Sequence, residues 1–331
     1  MRTAMGFLPA KVLLVAVKLE LFTLLARGPR TAEAIQQSLG LHDRALYDFL
    51  DTLVALGCLE RDGLAGRAVY RNAPDADAFL DREKSSYIGG LLTMANDRLY
   101  GYWADFEEAL RTGEPQNEAK RGEADLFDEI YNDPVRMRVF LEAMAGAQRG
   151  AFVAFAEKFD FSPYRTLCDV GGALAALCIE VARRHDRLQC ITADLAAVEP
   201  LARQSIDEAS MTGRVKTAVL DFWQDPFPAA DVLTMGNILH DWNLEQKKLL
   251  IRKAHDALND GGVLVIIENI IDDERRSNVF GLLMSLNMLI ETRGGFDFTG
   301  ADFADWAKAA GFRDSEVIPL AGPTSAAVAY K

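Results

Sequence analysis

The chain is short of positive charge, of cysteine and of histidine, and it has no long uninterrupted apolar run. Thirty-six lysines and arginines stand against 49 acids in 331 residues, a formal net charge of −13. Nucleic acid and anionic membrane surfaces both select for basic side chains that neutralise phosphates, so neither is an expected partner. The four cysteines (Cys58, Cys168, Cys178 and Cys190) form no Cys-x-x-Cys pair and no histidine-bearing zinc pattern. They read as small core residues in a reducing compartment. The apolar stretch over residues 7–25 is interrupted by Lys11, Lys18 and Glu20. That breaks both a signal-peptide core and a membrane span, and the helical spacing of its apolar positions predicts an amphipathic helix. A cytoplasmic location is expected.

What remains is a globular composition, 50% hydrophobic and 26% charged. The length suits two domains, or one large domain with a helical cap. Three segments are distinguishable: 1–100, 101–160 and 161–331. In the first, Thr31 precedes a short helix that stops at Gly40, and residues 44–56 carry Leu46, Phe49, Leu50, Leu53, Val54 and Leu56 on one face. Two strand-like pieces around a Gly-rich turn follow, which completes a winged-helix pattern. Asp43, Asp48 and Asp51 would face phosphates badly, so this segment is expected to be a scaffold or dimerisation module rather than a DNA reader. The second segment is helical and aromatic, with Tyr87, Tyr100, Tyr102, Trp103 and Phe106 leading into it, a polar loop over 113–123, and a helix from Leu126 to about residue 158 broken near Asp133-Pro134. It suits a pocket wall or an ordinary aromatic core.

From residue 163 onward strands and helices alternate. Strands are expected over 166–171, 190–195, 215–221, 231–239 and 263–269, and helices over 174–185, 199–210 and 245–258. Right-handed crossovers between such units give a doubly wound parallel sheet. The last two strands, 315–319 and 325–330, are joined by so short a link that they form a hairpin, and the final strand runs antiparallel. A dehydrogenase sheet does not end this way.

Successive strands end in acids. Asp169 precedes the small turn Gly171-Gly172-Ala173-Leu174-Ala175, Asp194 ends the second strand, and Asp221-Phe222 ends the third. An acid at the second position suits ribose hydroxyls, and one at the third suits an adenine amino group, with Phe222 to stack on the ring. Each acid alone reads as a helix cap or turn residue. Three together disfavour a pyrophosphate and favour a cationic sulfonium, so S-adenosylmethionine is preferred to NAD. The next strand runs out into Met235-Gly-Asn-Ile-Leu-His-Asp-Trp242. Taken alone, His240 reads as a half-buried structural histidine; at a strand's carboxyl end beside Asp241, it is also placed to take a proton from a bound hydroxyl.

Through Asp169-Val-Gly-Gly172, Asp221-Phe222 and Ile238-Leu-His-Asp-Trp242, nearly the whole chain resembles the S-adenosylmethionine-dependent O-methyltransferases of the caffeate/hydroxyindole type, which include bacterial enzymes acting on aromatic polyketides. The resemblance implies an α/β fold: a Rossmann-like seven-stranded methyltransferase sheet with its last strand antiparallel (161–331), an N-terminal winged-helix dimerisation domain (1–100), and a helical linker and pocket wall (101–160). It makes His240 the general base, with Glu268 and Asp297 holding its ring. Asp169, Gly171, Gly172, Asp194, Asp221, Phe222 and Gly236 are the implied cofactor contacts. Trp103, Asp241, Met284 and Met288 are the candidate contacts to a small aromatic hydroxyl substrate. No metal is implied, and a homodimer is.

Two departures stand out. Asp297 is shorter than the glutamate usual in plant members, and the first loop has Ala175 where the family carries a further glycine. If Ala175 needs a positive φ, the strain is about 1 kcal/mol or more, equivalent to roughly fivefold in cofactor affinity. The alternatives left open are a homologue that binds the cofactor but decarboxylates, hydroxylates or cyclises, and a winged-helix ligand-sensing regulator.

Overall fold

The structure is a computed structural model that describes residues 1, 3–121 and 130–331. The expected helix start at Leu126 lies outside the described residues. The chain divides into two compact units, residues 1–101 with 142–147 and residues 102–141 with 148–331. Most of the expected linker therefore groups with the C-terminal residues.

In the first unit the expected N-terminal helix is two helices, Phe7–Lys18 and Leu21–Ala26, because Glu20 adopts a left-handed conformation (φ 56°) between them. The bend turns Leu21, Phe22 and Leu25 onto the same core as Val17. Thr31 caps helix Ala32–Leu39 by accepting the Ala34 N–H, and Gly40 ends it at φ 64°. Helix Leu46–Ala55 follows a one-turn helix over Asp43–Ala45. The wing is β2 (Leu59–Asp62) paired antiparallel with β3 (Val69–Asn72). A two-residue strand that the sequence pattern did not reveal, β1 (Arg30–Thr31), pairs with the other edge of β3.

The second unit is built on seven strands: β4 (Thr166–Val170), β5 (Gln189–Asp194), β6 (Val215–Val219), β7 (Ala230–Gly236), β8 (Leu258–Glu268), β9 (Asp314–Pro319) and β10 (Ser325–Tyr330). Their order is β6-β5-β4-β7-β8-β10-β9. β10 runs antiparallel to both β8 and β9, and the remaining pairs are parallel. Both faces of the sheet are covered. Val263, Val265 and Ile267 of β8 join one core, and Leu264 and Ile266 join the other, the alternation a pleated strand imposes. β8 starts at Leu258, earlier than expected, across Gly261 and Gly262. Helices Val279–Glu291 and Gly300–Ala310 lie between β8 and β9. From β4 the chain winds to β5 and β6 on one side and to β7 and β8 on the other. The carboxyl ends of β4 and β7 therefore flank the point where strand order reverses, where an open α/β sheet binds its ligand.

Candidate active site

At the carboxyl end of β4, Gly171 takes φ 71° and donates its N–H to the Ala193 carbonyl at 2.8 Å. A Cβ on Gly171 would lie 2.5 Å from Ile238 Cδ1, and one on Gly172 would collide with Thr192 Oγ1 and reach 2.8 Å from Asp169 Oδ2. A side chain at Gly172 would be blocked by Thr192 and Asp169, and one at Gly171 would need Ile238 to move and would keep a positive φ. Ala173 and Ala175 both adopt left-handed geometry, at φ 47° and 60°. The turn is held by hydrogen bonds: Ala173 N–H donates to Asp194 Oδ2 and Ala175 N–H to the Gly172 carbonyl, each at 2.8 Å.

The three strand-end acids occupy different settings. Asp169 is 5% exposed and sits beneath the turn, accepting the Thr234 hydroxyl at 2.6 Å. Burial raises its pKa to about 7; the Thr234 bond opposes the rise and Asp194 adds to it. Asp194 accepts the Ala173 and Leu195 N–H groups, one on each oxygen, and burial raises its pKa despite both bonds. Asp221 accepts from Trp223 N and from the Gln224 side chain. Behind it Phe222, Trp223 and Trp242 pack edge to face, with centroids 4.7–5.8 Å apart. At the end of β7 a Cβ on Gly236 would lie 2.9 Å from Gln148 Oε1, a buried oxygen with no hydrogen-bond partner.

His240 lies in the one-turn helix Leu239–Asp241 just after β7 and is 6% exposed. Its Nδ1 is 3.7 Å from Glu268 Oε2 and 3.6 Å from Asp297 Oδ1, and its Nε2 is 3.4 Å from Asp241 Oδ1. Four elements converge here. Glu268 is the last residue of β8, and its Oε1 fixes the turn by accepting the Leu239 N–H at 2.8 Å and the His240 N–H at 3.2 Å. Asp297 precedes helix Gly300–Ala310 and donates its backbone N–H to Ser285 of helix Val279–Glu291. Gly295 lets this segment approach, since a Cβ there would lie 2.5 Å from the His240 carbonyl oxygen.

Burial works against a charged imidazole, but Glu268, Asp241 and Asp297 outweigh it and hold the His240 pKa up at about 10. Burial raises Asp241 to about 6 and Glu268 to about 7, with His240 opposing each rise. The cluster thus favours an imidazolium, with Asp241 and Glu268 beside it ionising reluctantly.

Of the candidate substrate residues, Asp241 borders His240 and the others lie on neighbouring elements. Helix Val279–Glu291 packs against the His240 turn and carries Met284, half-buried, and Met288, buried. Trp103 Nε1 donates to Asn287 Oδ1 at 2.9 Å, and its ring stacks on Phe106 at 5.0 Å. Sequence reasoning did not name Ser285, Asn287, Gln148 or Lys247. Only Lys247 had a legible signal. It shares a helix face with Leu250, Ile251 and Ala254, all buried, yet carries a charge.

Among the described residues no helix is long and apolar enough to cross a membrane. Residues 103–313 match the O-methyltransferase domain, and residues 1–82 match the O-methyltransferase dimerisation domain. The chain is 39% identical, over 100% of its length and 96% of the relative's, to the tetracenomycin polyketide synthesis 8-O-methyl transferase TcmO of Streptomyces glaucescens. It is 34% identical, over 97% of its length and 90% of the relative's, to the 3-hydroxy-5-methyl-1-naphthoate 3-O-methyltransferase of Streptomyces sahachiroi. Among solved structures, human N-acetylserotonin methyltransferase in complex with S-adenosylmethionine superposes with a TM-score of 0.91 at 28% identity, covering 100% of this chain and 96% of that one. The chain belongs to the S-adenosylmethionine-dependent O-methyltransferase family.

Proposed function

We propose that this enzyme methylates a hydroxyl of a small aromatic, polyketide-type acceptor, and that His240 takes the hydroxyl proton. The observation that carries the reading is the convergence of His240, Asp241, Glu268 and Asp297 within 3.7 Å of the imidazole nitrogens. The strand-end residues fit S-adenosylmethionine: the side chains are acidic rather than basic, the turn leaves no room for a side chain at Gly172, and a buried unpartnered acceptor (Gln148 Oε1) stands at Gly236. Gly171, Gly172, Asp194, Asp221, Phe222 and Gly236 would hold it, and Asp169 supports the turn from below. When bound, the cofactor supplies an electrophilic methyl group on a sulfonium.

The residues of the chain then do the rest. A base must be neutral, and a second positive charge in this buried cluster disfavours the imidazolium, so His240 gives up its proton as the site fills. A phenol ionises near pH 10, so its proton must leave as the oxygen attacks, and Nε2 accepts it. Glu268 and Asp297, on the Nδ1 side, keep the ring in one tautomer and stabilise its charged form afterwards. Asp241, beside Nε2, contacts the acceptor hydroxyl. Trp103, Met284 and Met288 clamp the acceptor's flat ring, the methionines through adaptable thioethers. No step calls for a metal ion. The N-terminal segment joins two copies into a cytoplasmic homodimer, for which the dimerisation-domain match is the support.

The test is transfer from methyl-labelled S-adenosylmethionine to a panel of hydroxylated naphthoates and fused-ring phenols, with amine analogues alongside, for the parent enzyme and for His240→Ala. A mass gain of one methyl on oxygen, lost in the variant, is the expected result. Transfer to amines only, or acceptor turnover without methylation, overturns the reading.

A further inference from the structure

Lys247 is a buried charged residue beside this site that the mechanism leaves unused. It is 0% exposed. It stands in the first turns of helix Leu244–Ala257, where the aligned peptide dipoles oppose a cation. Burial and helix position both disfavour a lysine here, and a leucine or methionine would complete the apolar face. The ammonium is nonetheless engaged on two sides. It donates to the carbonyl of Trp242, two residues after His240, and it lies 3.7 Å from the ring centroid of Phe296, the residue before Asp297. Lys247 thus joins the segment that carries the imidazole to the segment that carries one of its carboxylates.

The charges around the imidazole explain what a cation would do there. Asp241 faces it from its own turn, Glu268 from the end of β8 and Asp297 from the segment before helix Gly300–Ala310. The Tyr131 phenol, from the segment before helix Pro134–Lys158, feels the charges of Asp194 and Asp241 and is kept neutral by burial. Three carboxylates surround one imidazole, and each makes it harder for His240 to lose a proton. The ammonium of Lys247 interacts with the same three acids, and burial pulls its own pKa down to about 8 against their support.

We propose that Lys247 is a positioning residue whose buried charge offsets the surplus of carboxylates around His240, so that the imidazole can stand neutral and accept the substrate's proton, while its bond to the Trp242 carbonyl fixes the turn that aims the ring. This rests on the reading of His240 as the base. It assigns to Lys247 a task distinct from that of Glu268 and Asp297. They stabilise the imidazolium after proton transfer, and Lys247 protects the neutral form before it.

The experiment compares the pH dependence of kcat for methyl transfer in the parent, Lys247→Met, Lys247→Gln and Lys247→Arg, with His240→Ala alongside. The acid limb of kcat reports the base in the loaded enzyme. Removing a neighbouring cation raises the base's pKa, so the limb in the Met and Gln variants is expected to move alkaline by about one unit, roughly a tenfold loss of rate at a pH on the limb that is regained at higher pH. Gln keeps a donor for the Trp242 carbonyl and Arg keeps the charge, so the limb is expected to shift in Gln and to stay in place in Arg. Binding of S-adenosylmethionine by calorimetry identifies the folded variants, and either neutral substitution serves if the other does not fold. A folded neutral variant with the parental limb, whether slower at every pH or unchanged, overturns the proposal. His240→Ala that still transfers methyl at the parental rate overturns the base assignment instead, so the two failures are separable.

Discussion

Glu268→Gln isolates the electrostatic part of the site. Glu268 Oε1 accepts the N–H groups of Leu239 and His240 at 2.8 and 3.2 Å, and a glutamine oxygen can keep both bonds. The change is confined to Oε2, which lies 3.7 Å from His240 Nδ1 and becomes a neutral amide. Loss of an opposite charge at this range lowers the partner's pKa by about 1–3 units. His240, held at about 10 in the parent, is therefore expected to titrate between roughly 7 and 9 in the variant.

The assay is a proton–carbon NMR titration with ring-labelled histidine. The chain has only four histidines, and loss of one signal in His240→Ala assigns the resonance. In the ligand-free parent the His240 signal should stay in its protonated position through neutral pH, whereas in Glu268→Gln its midpoint moves acid by at least one unit. A parent midpoint near the ordinary histidine value of about 6.5, or a midpoint that Glu268→Gln leaves in place, would refute the electrostatic argument. The linkage has a definite sign. Because its folded pKa lies above the unfolded value, His240 contributes stability that is full below about 6.5 and is lost as pH rises through about 10. The raised pKa of Glu268 acts in the same direction at lower pH, since its stabilising protonated form is lost as pH rises toward about 7.

Two further substitutions examine the cofactor side. Gly172→Ala drives a methyl into Thr192 Oγ1 and Asp169; it should lower unfolding stability by about 1–3 kcal/mol and weaken S-adenosylmethionine binding, and a variant that melts and binds like the parent would show that the turn can yield. Asp194→Asn keeps the side chain's shape but loses two charge-assisted bonds to Ala173 and Leu195. Bonds to a charged group are worth about 1.5–3 kcal/mol, so calorimetry should find affinity for S-adenosylmethionine reduced tenfold or more, and unchanged affinity would remove Asp194 from the site.

The sheet was legible because its central strands carry apolar, often β-branched runs bounded by turn residues, and because the tight link between β9 and β10 permits only a hairpin. The helices between β8 and β9 were harder to read. Val279–Glu291 is apolar on nearly every side, so it shows no polar stripe to set its period. Gly300–Ala310 does announce itself through the capping box of Thr299 and Asp302. β1 is too short to show alternation, and the left-handed Glu20 has no local signature.

In the site, the structure gathers the His-Asp-Trp motif and the strand-end acids at the carboxyl end of the sheet. The neighbours contributed by packing were not visible. Asp297 reaches the imidazole only because Gly295 lets its segment close on the His240 carbonyl and Ser285 accepts its N–H. The strand-end acids looked alike in sequence, yet Asp169 proves to be a support bonded to Thr234, whereas Asp194 and Asp221 bind the turns themselves. Ala175 does take the positive φ that the sequence raised as a condition, and so does Ala173, where none was expected; the amides of both are bonded.

The central claim is that His240 is the base for methyl transfer to an aromatic hydroxyl. The most direct measurement is kcat of His240→Ala with a methylated acceptor found in the panel, taken together with its affinity for S-adenosylmethionine. The account predicts a loss of about 10²–10⁴-fold in kcat with cofactor affinity close to the parent's. A variant that binds the cofactor and still methylates at the parental rate would contradict it.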